Sequence, residues 1–98
     1  MKRVAGLNET LCNLDGSALT ENGRTFTIGY LVATAIARGG GDDPVRAMDI
    51  ALRIYNAEDS VDLEDADFAL AQQLVQKDAM TNLAKAAVLT ALQNAQAL

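Results

Sequence analysis

Ninety-eight residues, half of them apolar and 21% charged, suit a folded domain with a modest core of its own and exclude a disordered chain. With no histidine and a single cysteine, the composition excludes histidine-based triads, histidine metal sites and cysteine-rich zinc sites. A net charge of −5, with eight scattered basic residues, argues against direct nucleic-acid binding, which requires clustered Lys and Arg.

The apolar half is mostly alanine and leucine, the strongest helix formers, with two Phe, two Tyr and no Trp. The expected fold is therefore mainly α. Cys12 stands alone, so an intrachain disulfide is ruled out and a reducing compartment, the cytoplasm, is the expectation. "MKRVAGLNETL" lacks the apolar run of a signal peptide, and no stretch approaches the ~20 apolar residues of a membrane span.

Residues 1–27 read differently from the rest. Asp15-Gly16 and Asn22-Gly23 are turn dipeptides that favour positive φ, with short runs around Thr10–Leu14, Ser17–Thr20 and Arg24–Phe26. Alternation in these runs is poor, so a short β-hairpin and an irregular arm both remain open. The helical region, 28–98, follows in the same folding unit. Its first helix spans 28–38 with Thr27 as N-cap, and its apolar residues Ile28, Leu31, Val32, Ala35 and Ile36 recur at helical spacing.

"RGGGDDP" then reads as punctuation. Gly39 suits the left-handed C′ position, Arg38 the negative end of the helix dipole, Asp43 the next N-cap and Pro44 the first helical position. A phosphate-cradling loop would need GxxxxGK[ST], and aspartates after the glycines repel phosphate. The ligand spacing of an EF-hand loop is missing here and in the acidic stretch further on.

The second predicted helix, 44–57, is apolar over most of its circumference and reads as the central one, with Asp49 and Arg53 paired at i, i+4 on a narrow polar strip. An acidic connector follows, in which Val61 and Leu63 turn inward. Helices over 65–78 and 81–95 complete the chain, with Leu89 off the apolar stripe of the last. The fold class is thus a mainly α, four-helix single domain with an N-terminal arm or short β-hairpin.

Two features are candidates for function. Glu58, Asp59, Asp62, Glu64, Asp65 and Asp67 form an acidic patch, which either complements a helix N-terminus, holds an ion, or imitates nucleic-acid charge toward a basic partner. The other is the surplus of apolar surface on the first two helices. Either the arm covers Tyr30, Ala33 and Ala37, or these residues and Leu89 contact a partner protein. No residues assemble into a nucleophile with its base, so no enzyme, cofactor or metal is expected.

The segments "NLDGSAL", "FTIGYLVATAIA", "RAMDIALRIYNAED", "VDLEDADFALAQQLV" and "MTNLAKAAVLTAL" together resemble a group of small uncharacterised proteins encoded by bacteriophages and prophages. The resemblance covers residues 11–92 and rests on the order of the parts. It implies a viral context inside a bacterial host and carries no activity or functional residue with it. The expected function is a non-catalytic protein–protein interaction, in virion assembly or in regulation of a host protein, with this chain itself or a phage or host protein as partner. The alternatives are an acidic decoy for a nucleic-acid-binding protein and a small carboxylate-based ion-binding module.

Overall fold

The computed structural model describes the backbone of residues 1–98 and every side chain except that of Glu21. In chain order the elements are β1 (Lys2–Val4), β2 (Thr20–Glu21), β3 (Arg24–Thr25), α1 (Ile28–Arg38), α2 (Pro44–Asn56), β4 (Val61–Leu63), α3 (Asp65–Lys77), α4 (Asn82–Gln93) and β5 (Gln96–Ala97). The four helices begin and end within two residues of the predicted spans.

Their starts follow from local chemistry. Thr27 Oγ1 accepts the Tyr30 amide at 3.1 Å, Asp43 Oδ1 accepts that of Arg46 at 3.2 Å, and Thr81 Oγ1 accepts that of Ala84 at 3.3 Å. Pro44 occupies the first turn of α2, where a missing N–H costs nothing.

The helical reading omitted a three-stranded antiparallel sheet of order β4-β1-β5. Lys2 faces Leu63 and Ala97, and Arg3 faces Asp62 and Gln96, so the sheet ties both ends of the chain to the connector before α3. On the β1–β4 pair, Arg3 donates twice to the Asp62 carboxylate, at 2.8 and 3.1 Å, directly across the strands. Val4 and Leu63 drop into the core.

Residues 10–27 run back and forth on themselves. β2 and β3 pair as a hairpin closed by Asn22 (φ 54°) and Gly23 (φ 78°), the positive-φ pair of a type I′ turn. An isolated bridge, Cys12 to Ala18, closes the preceding turn, and another joins Thr10 to Thr27. The arm also finishes α1. The first amides of a helix lack intrahelical acceptors, and here Ile28 N–H bonds Glu9 O at 2.9 Å while Gly29 N–H bonds Leu7 O at 2.7 Å.

Packing assigns the centre differently from the sequence. α1, not α2, touches all three other helices. It buries Ile28, Val32, Ala33, Ala35 and Ile36 on more than one side, which explains its narrow polar face. α2 buries only Ile50, Ala51 and Ile54 and lies at the edge. Leu74, Val75, Val88 and Leu92 from α3 and α4 complete the core, with Val4 and Leu7 supplied by the arm.

The loop between α1 and α2 also departs from expectation at one residue. Gly39 has φ −68° and ψ 153°, extended rather than left-handed, and its N–H bonds the carbonyls of Ala35 and Ile36. What the glycine permits is proximity: a Cβ there would lie 3.0 Å from a methyl of Leu74. Arg38 leaves the helix terminus and grips Asp78 at the end of α3 at 2.8 and 3.2 Å, fastening the ends of the two helices together.

Candidate functional site

The glycine loop is examined most simply through its neighbours. A Cβ at Gly40 or Gly41 would meet nothing within 4 Å, so no group approaches the backbone there. The side chain of Asp43 is engaged in capping α2.

The acidic patch is divided by its partners. Asp62 is held by Arg3, whose hydrogen bonds place its carboxyl below the usual range, and Asp65 pairs with the Met1 amine at 2.9 Å. Asp67 takes both Arg46 and Arg53, the latter at 3.0 Å. Glu58, Asp59 and Glu64 remain exposed. Half of the patch is therefore spent on joining α2, α3 and the sheet. Among the described residues no three acidic or thiol groups are arranged to hold a metal ion, and no buried polar side-chain atom lacks a partner.

Asp67 is the most enclosed of the six, its side chain 13% exposed. Burial pushes its pKa up, but the guanidinium groups of Arg46 and Arg53 outweigh this and hold it below the ordinary value. A depressed folded pKa stabilises the protein fully above the unfolded value, about 3.9, and the contribution is lost as pH falls through the folded pKa. Asp67→Asn is therefore expected to cost about 1.5–3 kcal/mol at pH 7. Urea denaturation of both proteins should show this difference shrinking below pH ~4 as the wild-type carboxylate takes up its proton. An equal difference at pH 7 and pH 3 would refute the ion-pair account.

The largest cleft, about 650 Å³, lies between the arm and α4. Ala86, Ala87 and Ala91 form its floor, with Glu9, Cys12 and Thr90 among its polar groups. The Cys12 thiol is exposed and donates to Thr10 O at 3.6 Å. A nucleophile needs a base within hydrogen-bond reach, and the thiol has only this carbonyl. The lining carries no aromatic side chain. That differs from the mostly hydrophobic and aromatic lining of small-molecule sites.

The apolar positions chosen from sequence are dispersed. Ala33 is 4% exposed and belongs to the core, which corrects its assignment to a partner surface. Its small side chain faces inward because α1 is the central helix. Leu89 is half-buried against the same core. Tyr30 stacks on Phe26 of the arm, ring centroids 5.7 Å apart, with the Arg24 guanidinium 5.4 Å from its ring centre. The arm thus covers much of Tyr30, while Ala37 stays exposed.

The uncovered apolar surface is on α2 instead. Val45, Met48, Leu52 and Tyr55 are 81%, 43%, 53% and 56% exposed. Their spacing of three, four and three residues places them along one side of the helix, apart from the buried Ile50, Ala51 and Ile54. Tyr55 lies 6.4 Å from Tyr30, extending the stripe toward the arm. On its other flank a groove of about 500 Å³ runs between Leu52 and Val61, with Asp49, Arg53 and Asp62 at its edge. The signal was present in the sequence as the nearly all-round apolar circumference of this helix. It consists of two stripes, of which only one is used inside the molecule.

Compared with protein-family models, curated proteins and solved structures, the chain matches none. No helix of the described residues is long and apolar enough to cross a membrane.

Proposed function

We propose that this chain is a non-catalytic protein–protein interaction domain whose contact surface is the outer face of α2. The observation that carries the reading is the continuous stripe Val45, Met48, Leu52 and Tyr55, exposed on a well-formed helix. A contiguous apolar patch of this kind, bordered by charged side chains, is characteristic of surfaces that other polypeptides cover. The phage or prophage setting implied by the resemblance, with a role in particle assembly or in control of a host protein, belongs to the same proposal.

The test is site-directed photo-cross-linking in the cell of origin. A photoreactive residue at Leu52 is expected to capture a discrete polypeptide, whereas one at the exposed Ala86 of α4 is not. Leu52→Glu should lower the capture by a photoreactive residue at Met48 while leaving the far-UV spectrum and thermal midpoint close to wild type, since Leu52 contributes little to the core. Equal capture from both helices, or none from α2, would defeat the proposal.

A further inference from the structure

We infer that the occupant of the α2 face is α2 of a second copy of this chain, laid antiparallel across it about a two-fold axis; this rests on the interaction reading above and names its partner. The exposed residues have the spacing of a coiled-coil seam, with Val45 and Leu52 at one core position of the heptad and Met48 and Tyr55 at the other. Only two heptads are exposed, so the matching partner is a seam of the same length. A second copy supplies one.

Side-chain volume selects the direction. Antiparallel pairing sets Val45 opposite Tyr55 of the second copy and Met48 opposite its Leu52, so that the smallest residue meets the largest. Parallel pairing would put Tyr55 against Tyr55 and Val45 against Val45, leaving the contact too thick at one end and hollow at the other. Charge selects the same arrangement. Asp49 and Arg53 pair within each helix at 3.3 Å, acid first along the chain, and both line the edge of the groove beside Leu52. Two such pairs laid head to tail bring Asp49 beside Arg53 of the second copy, twice, by symmetry. Laid side by side in parallel, they would oppose like to like.

Sedimentation equilibrium on the purified full chain, from about 10 μM to about 1 mM, is the primary measurement. The expected result is a reversible monomer–dimer equilibrium that Leu52→Glu weakens about a hundredfold or more, by burying a charge in the seam. Direction is read from Val45→Cys and Tyr55→Cys, each made in a Cys12→Ser background. Mild oxidation of the mixture should link position 45 to position 55, while neither variant alone should cross-link, because identical positions lie about 15 Å apart along the paired helices. A monomer at every concentration would overturn the inference, as would a dimer indifferent to Leu52→Glu or homodisulfides forming within single variants. Capture of a different polypeptide through Leu52 by a strictly monomeric chain would overturn self-pairing and leave the interaction reading intact.

Discussion

Leu63→Ala is expected to cost about 2–5 kcal/mol, the range for deleting a fully enclosed leucine side chain when the surroundings close only partly over the gap. Leu63 is 0% exposed at the end of β4, opposite Lys2 in β1 and immediately before α3. It is therefore packed where sheet and helices meet. Domains of this size have about 5–15 kcal/mol of stability in total, so the loss would be a large part of it. At roughly 4–8 °C per kcal/mol, the thermal midpoint should fall by at least about 8 °C. Leu52→Ala is the control, because the same residue type on the outer face of α2 should shift the midpoint by only a few degrees. Similar shifts for both leucines would mean that Leu63 is not the anchor of the sheet.

The contrast between these two leucines shows what the sequence can and cannot express. Helix limits were legible because they are written in neighbouring residues: Thr27, Asp43 and Thr81 each accept an amide three positions on, and Pro44 needs none. The β4-β1-β5 sheet was not legible. Its strands are two or three residues long, too short for a period of two to register, and they pair residues separated by almost the whole chain. Periodicity also says that a face is apolar without saying what covers it. On α1 the surplus is covered from several sides, which places Ala33 in the core; on α2 the surplus is left outside. Mistaking the second for the first made α2 appear central.

Electrostatic detail was lost for a related reason. Six acidic residues in ten positions look like a single patch in one dimension. In three dimensions Asp62 is drawn to Arg3, and Asp67 to Arg46 and Arg53, all distant in sequence. The ion-binding and decoy readings both need those carboxylates free, and the fold uses them as ties between elements. Gly39 gives the same lesson at smaller scale. The stop signal was read correctly at the level of position, but the reason for glycine is a methyl of Leu74, thirty-five residues away.

Gly29→Val should be among the most damaging single substitutions, although no positive φ marks the position. A Cβ there would lie 3.0 Å from the Leu7 carbonyl oxygen and 3.2 Å from the Leu7 Cβ. The obstruction is backbone, which cannot rotate aside as a side chain can. The same contact carries the 2.7 Å bond from Gly29 N–H to Leu7 O, one of two by which the arm satisfies the free amides of α1. Valine must therefore push the arm away, exposing Leu7 and leaving the amide unpaired. Overpacking typically costs about 1–3 kcal/mol, and a stranded buried donor adds about 1–3 more. The local signature distinguishes this from general destabilisation. Hydrogen exchange at the Leu7, Ile28 and Gly29-position amides should accelerate strongly, while Val75 and Val88 in the far helices should exchange at the rate set by the reduced global stability. If Gly29→Val keeps the protection of residues 7 and 28 at the wild-type level, the arm is not seated on the glycine, and the account of α1 as a helix completed by the N-terminal segment fails with it.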